Sequence, residues 1–88
     1  MIRLIGKIRE IYTEETYKTH TKKLVKKNNL ILKMENEQLV QIQFQGKDMN
    51  LLKGFRENQE VVVDCIFRGQ YTSKRFYDNI VGKKIVKL

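Results

Sequence analysis

The segment 39–45, LVQIQFQ, constrains the fold of this chain more than any other stretch. Val40, Ile42 and Phe44 alternate with glutamines, and a period of two is that of a β-strand with one buried face. The opposite face of this strand carries only amide side chains. We expect the amide face to point to solvent or to a ligand.

The same alternation recurs along the chain and predicts four more strands, at 2–12, 30–34, 60–68 and 75–86. Gly6 lies inside the first of them, which predicts a bend or a bulge there. In the strand at 60–68, Val61, Val63, Cys65 and Phe67 share one face. We therefore predict that these four side chains belong to the core.

A short helix is predicted between the third and fourth strands, at 47–55, KDMNLLKGF. Asp48 is the expected N-cap and Gly54 the expected stop signal. Three strands, a short helix and two strands are the chain order of the OB-fold, an all-β, five-stranded barrel that binds oligonucleotides. The alternative is an SH3-like barrel, which usually lacks a helix at this point.

The length of 88 residues supports one domain, because a chain this short has apolar side chains for a single core only. We assign residues 1–88 to one OB-fold domain, with a long basic loop or hairpin arm at about 13–29. The net charge of +8 favours a polyanionic partner, nucleic acid before an anionic membrane surface. A generically basic surface without a polyanionic partner is the alternative.

Several classes of function find no support in the sequence. One cysteine and one histidine cannot form an internal disulfide or a metal site, which fits a cytoplasmic protein. The chain has no paired-carboxylate motif and no phosphate-cradling glycine loop, so we expect neither an enzyme nor a cofactor. Charged residues interrupt every apolar run, so we expect no signal peptide, no membrane span and no membrane partner.

The segment 51–85, LLKGFRENQEVVVDCIFRGQYTSKRFYDNIVGKKI, resembles the C-terminal half of bacterial single-stranded-DNA-binding proteins. It looks closer still to a family of small bacterial OB-fold proteins of uncharacterised function. The positions that carry this likeness are Phe67-Arg68-Gly69, Phe76-Tyr77, Asp78-Asn79 and Ile80, together with the opening IRLIGKI. Family members often have aromatics where this chain has Thr72 and Lys83, which shifts weight from stacking to charge.

Two basic segments, 13–29 and 69–75, would frame the binding groove of an OB-fold. Their lysines and arginines suit phosphates, and Tyr71 and Tyr77 suit stacked bases. The candidate nucleic-acid-binding residues are Lys18, Lys22, Lys23, Lys26, Lys27, Arg68, Tyr71, Lys74, Arg75, Tyr77 and Lys83. For Arg68 the alternative is a salt bridge to Asp64. Alternation leaves open which of Phe76 and Tyr77 faces the core.

The function that these features favour is non-sequence-specific binding of single-stranded DNA. RNA binding is the nearest alternative, because a lysine-rich groove does not distinguish the sugar. A different class is a protein-interaction module that docks an acidic partner. We also expect a homodimer, because a second groove raises avidity without new contacts.

Overall fold

The chain forms a barrel of five long strands and a separate small two-stranded sheet. The computed structural model describes residues 1–13, 17–18, 24–25, 27–72 and 75–88, with side chains over 1–12, 27–69 and 79–88. The strands are β1 Ile2–Thr13, β2 Tyr17–Lys18, β3 Leu24–Val25, β4 Lys27–Met34, β5 Leu39–Gln45, β6 Glu60–Thr72 and β7 Arg75–Lys87. A 3-10 helix, Gly46–Leu52, lies between β5 and β6.

The strand order β1-β4-β5-β7-β6 closes the barrel through the pairing of β6 with β1. Four of the neighbouring pairs are antiparallel, and β5 with β7 is parallel. The 3-10 helix separates the third barrel strand from the fourth, so the predicted OB-fold is confirmed. β4 begins at Lys27, before the apolar pattern starts, because Asn28 and Asn29 extend its ladders to β1 and β5.

The core fills the barrel with the inward side chains of its strands and one leucine of the 3-10 helix. Its buried members are Ile8, Leu30, Leu32, Ile42, Phe44, Leu52, Val61, Val63 and Cys65. The predicted inward positions of Val61, Val63 and Cys65 are therefore confirmed. Burial raises the pKa of the Cys65 thiol, since a thiolate loses its hydration in an apolar environment.

Gly6 and Gly82 are required where the barrel wall has no room for a side chain. A Cβ on Gly6 would lie 2.5 Å from the backbone oxygen of Lys33, so Gly6 permits the close approach of β4. The bulge predicted at Gly6 lies instead between Ile8 and Glu10, where the β1–β4 register shifts. A Cβ on Gly82 would overlap the ring of Phe44, with Cε2 of that ring 2.8 Å away.

The N-cap predicted at Asp48 is wrong. The 3-10 helix begins at Gly46, and Gln45 occupies the N-cap position without a side-chain hydrogen bond. Asp48 lies in the first turn and faces Lys83 of β7, with 3.8 Å between Oδ2 and Nζ. Gly54, two residues past the helix, has a φ of 84°, a left-handed conformation that suits glycine at a helix stop.

The β6–β7 pair continues past the end of the barrel. Ile2 pairs with Cys65, so β1 accompanies β6 no further than Cys65, whereas β6 and β7 stay paired to Thr72 and Arg75. Phe67 has the inward parity predicted for a core residue, but its side chain is 65% exposed. The prediction of a buried Phe67 is wrong, because Phe67 lies beyond the end of the β1–β6 ladder at Cys65.

Candidate nucleic-acid interface

A groove lies beside the parallel pairing of β5 with β7, which joins Gln43 to Val81. It is bounded by the end of β5, the start of β4 and the β6–β7 pair. The groove has a volume of about 600 Å³. Its walls include Lys27, Gln43, Gln45, Phe67, Arg68 and Asn79. We call it the β5–β7 groove.

The charge of the β5–β7 groove distinguishes it from two other grooves on the described surface. Lys27 and Arg68 line it, and no acidic side chain among the described residues does. A groove of about 400 Å³ near the C-terminus includes three glutamates, and one of about 500 Å³ beside the β1 bulge includes two. Of the three, the β5–β7 groove is therefore the best suited to a polyanion.

Three amide side chains form a hydrogen-bonded row in the β5–β7 groove. Gln45 Nε2 donates to Gln43 Oε1 over 3.3 Å, and Gln43 Nε2 donates to Asn79 Oδ1 over 3.2 Å. The side chain in the middle, Gln43, is only 7% exposed. Both ends of its amide are thereby used, which fixes the orientation of the two amides beside it.

A second amide cluster lies next to this row on the outer face of β4 and β5. Tyr12 donates its hydroxyl proton to Gln41 Oε1 over 3.2 Å, and Gln41 Nε2 donates to Asn29 Oδ1 over 3.0 Å. Asn29 is fully buried, and its Nδ2 has no hydrogen-bond partner among the described residues. An unpaired buried amide costs about 1–3 kcal/mol, so this polar face is not optimised for stability.

Arg68 is an exposed cation on the wall of the β5–β7 groove and lies opposite Asn79 in the β6–β7 register. The alternative of a salt bridge to Asp64 is wrong, because Asp64 Oδ1 accepts a hydrogen bond from Arg3 Nε at 3.0 Å. That bond lowers the pKa of Asp64 and raises the pKa of Arg3. Among the described residues no carboxylate forms an ion pair with Arg68.

Phe67 is the groove residue that the sequence pattern assigned to the wrong environment. An exposed phenylalanine on the wall of a basic groove offers a face on which a base can stack. Alternation gives no signal of this exposure, but the strand register does. β1 pairs with β6 only as far as Ile2 and Cys65, so the β1 ladder does not reach Phe67.

Of the other predicted binding residues, Lys27 lines the β5–β7 groove and Lys83 does not. Lys83 is half-buried beside Asp48, at the β7 position skipped by the register shift between Asp64 and Cys65. The remaining candidates, or their side chains, lie outside the described residues: Lys18, Lys22, Lys23, Lys26, Tyr71, Lys74, Arg75 and Tyr77. The choice between Phe76 and Tyr77 for the core lies there too.

The described part of the chain contains no cluster of three or more His, Cys, Asp or Glu side chains suited to a metal ion. None of the helices in this part has the length and apolar character needed to cross a membrane.

Solved structures share this architecture at low sequence identity. The mitochondrial single-stranded-DNA-binding protein Rim1 of S. cerevisiae superposes with a TM-score of 0.67 and 16% identity, over 99% of this chain and 92% of Rim1. The dimeric N-terminal domain of PriB from Thermoanaerobacter tencongensis gives a TM-score of 0.57 and 13% identity, over 99% of this chain and 93% of that domain. No protein-family model and no curated protein sequence matches the chain. The protein thus has an OB-fold like that of single-stranded-DNA-binding proteins.

Proposed function

We propose that this protein is a binding module for single-stranded DNA and that the β5–β7 groove holds the strand. The observation that carries the proposal is that Lys27 and Arg68, which come from distant parts of the sequence, line one groove to which no acidic side chain among the described residues contributes. The fold supports it as well, since the structural neighbour Rim1 is a single-stranded-DNA-binding protein.

The chemistry of binding divides between phosphates and bases. Lysine and arginine side chains that neutralise phosphates release condensed counterions, and each contact to a single strand adds about −0.7 to the log-log salt slope. The exposed ring of Phe67 would stack on a base, an interaction worth about 1–3 kcal/mol for any base. A duplex hides its base faces in its own stack, so this groove is expected to favour single strands.

The basic segments on either side would lengthen the binding track. We propose that Lys18, Lys22, Lys23, Lys26, Lys74 and Arg75 contribute further phosphate contacts, and that Tyr71 and Tyr77 contribute further stacking. Changing Lys22, Lys23, Lys26 and Lys27 together to Gln should then flatten the salt slope by about 3. An unchanged slope would place the phosphates elsewhere.

The proposal is tested by fluorescence anisotropy with labelled dT, RNA and duplex oligonucleotides at about 50 and about 200 mM salt. Arg68→Gln should reduce the magnitude of the salt slope by about 0.7, because one phosphate contact is lost. Arg9→Gln is the matched control: Arg9 is an exposed cation beside the β1 bulge and does not line the β5–β7 groove. Its slope should equal that of the unmodified protein.

Each outcome of this titration decides between functions. Salt-sensitive binding of dT in preference to duplex supports the proposal, and tighter binding of RNA than of DNA assigns the site to RNA. No salt-sensitive binding of any oligonucleotide at micromolar protein would refute nucleic-acid binding and favour an acidic protein partner. The proposed homodimer is tested separately by the molar mass in light scattering, with a monomer at micromolar concentration as the refuting result.

A further inference from the structure

The hydrogen-bonded amides Gln45, Gln43 and Asn79, here called the amide row, cross the shortest pairing in the barrel. Among the described residues the ladder of β5 with β7 is the single pair of Gln43 and Val81, whereas each of the other four barrel ladders pairs six residues or more. The hydrogen bond from Gln43 Nε2 to Asn79 Oδ1 is a side-chain link between the same two strands. Gln43 is nearly buried, so the packing around it restricts its conformation and holds this link in place.

Each end of the amide row lies beside one cation of the β5–β7 groove. Gln45 is directly opposite Lys27 in the β4–β5 ladder, and Asn79 is directly opposite Arg68 in the β6–β7 ladder. Side chains of directly opposite residues project from the same face of an antiparallel pair. Both cations and all three amides line the groove. The amide row therefore extends across the groove, from the strand pair that carries Lys27 to the strand pair that carries Arg68.

Backbone pairing alone ties the Arg68 side of the groove only weakly to the Lys27 side. Arg68 lies beyond the β1–β6 ladder, which ends at Cys65, and among the described residues β7 pairs with β5 at Val81 only. Lys27 is the first residue of β4. Both cations are thus at the limits of the barrel ladders, and the amide row is a hydrogen-bonded connection between the strands that carry them.

We propose, as an extension of the proposed function, that the amide row is a spacer that fixes the distance between Lys27 and Arg68, with Gln43 as its positioning residue. Two cations on separate strand pairs can neutralise two phosphates of one strand together only when their separation matches the path of that strand. A fixed separation lowers the ordering that binding costs. Gln43 is too deeply buried to be a main contact of the strand, so it acts through the two amides that it holds.

The test compares the salt dependence of dT binding in Gln43→Leu and in the unmodified protein. Leucine is similar in size and uncharged, but it cannot form a hydrogen bond with Gln45 or Asn79. Without the spacer, one of the two cations should no longer meet a phosphate. The magnitude of the log-log salt slope should therefore fall by about 0.7, and the affinity for dT at low salt should fall roughly fivefold.

Gln41→Leu is the matched control. Gln41 is on the same strand and the same face as Gln43 but outside the groove lining, and it also forms two side-chain hydrogen bonds, with Asn29 and Tyr12. The two variants therefore lose the same number of hydrogen bonds, and only Gln43→Leu should change the salt slope. Urea unfolding of both variants measures the loss of stability separately from the loss of binding.

A second variant tests the spacer from β7. Asn79→Ala removes the acceptor of the bond from Gln43 Nε2 and should give the same reduced slope. It carries the test by itself if Gln43→Leu does not fold. In either background, Arg68→Gln should change the slope by much less than the value of about 0.7 expected in the unmodified protein, because the two cations no longer act together.

The outcomes separate this inference from the proposed function. If Gln43→Leu and Asn79→Ala keep the affinity and the salt slope of the unmodified protein, the spacer is overturned and single-strand binding stands. An equal loss in Gln41→Leu would assign the effect to general destabilisation and would also overturn the spacer. So would a full change of about 0.7 on adding Arg68→Gln to Gln43→Leu, because the Arg68 contact would then not depend on the amide row. No binding of any oligonucleotide by the unmodified protein would refute the proposed function itself.

Discussion

The substitution Phe67→Ala distinguishes the buried Phe67 that the alternation predicts from the exposed Phe67 of the structure. Full burial of a phenylalanine contributes about 1.5–3 kcal/mol, and at 65% exposure about a third of that remains. The substitution should therefore lower the free energy of unfolding by about 0.5–1 kcal/mol, against about 3–5 kcal/mol for a core phenylalanine. A lost stacking contact should instead weaken single-strand binding by about 1–3 kcal/mol, or about 5- to 150-fold in Kd.

Two measurements on the same variant check this prediction. Urea unfolding followed by circular dichroism gives the change in stability, and anisotropy with labelled dT gives the change in Kd. Phe44→Ala is the matched control, since Phe44 is fully buried and its truncation should cost about 3–5 kcal/mol of stability. If Phe67→Ala destabilises the protein as much as Phe44→Ala does, the exposed position is wrong. If stability and Kd both stay unchanged, Phe67 is not a stacking platform.

Three further predictions follow from the barrel. Gly82→Ala should lower the free energy of unfolding in urea by about 1–3 kcal/mol, because its Cβ overlaps the Phe44 ring, and a smaller loss in a Phe44→Leu background would confirm that cause. The hydrogen bond from Arg3 lowers the pKa of Asp64, so its stabilisation is present above the unfolded pKa near 3.9 and is lost as the pH falls through the folded pKa. Asp64→Asn should thus destabilise the protein at neutral pH and have little effect in strong acid; an equal effect at both would contradict the ion pair. Burial raises the pKa of the Cys65 thiol, so a thiol reagent should label the native protein much more slowly than the urea-unfolded protein, and equal rates would contradict the burial.

Period-two alternation predicted most of the barrel because each strand buries one face against a single core. Ile42 and Phe44 are buried as predicted, and so are Val61 and Val63. The chain order of strands and helix then sufficed for the OB-fold, since few folds place one short helix between the third and fourth of five strands.

The errors share a physical cause, which is that alternation describes a strand and says nothing of its neighbours. A glycine inside a strand predicts a bend or a bulge at Gly6, but the β1 bulge lies between Ile8 and Glu10, and Gly6 is required by the close approach of the Lys33 backbone on β4. Asp48 is the predicted N-cap, but it lies inside the first turn of the 3-10 helix and faces Lys83 of β7. The ion pair between Arg3 and Asp64 joins two residues that are 61 positions apart in the sequence, and no local sequence pattern predicts such a pairing.

The position of the candidate site follows from the same limits of the barrel. A residue beyond Cys65 on β6 has no β1 partner, so burial against the core no longer decides which side chain is favoured there. Phe67 and Arg68 occupy this stretch, and both residues line the β5–β7 groove. The side chains at these positions do not pack in the core. Residues suited to a ligand can therefore occupy them without a loss of core packing. The strongest departure from the sequence pattern, an exposed phenylalanine of inward parity, therefore lies where we place the nucleic-acid strand.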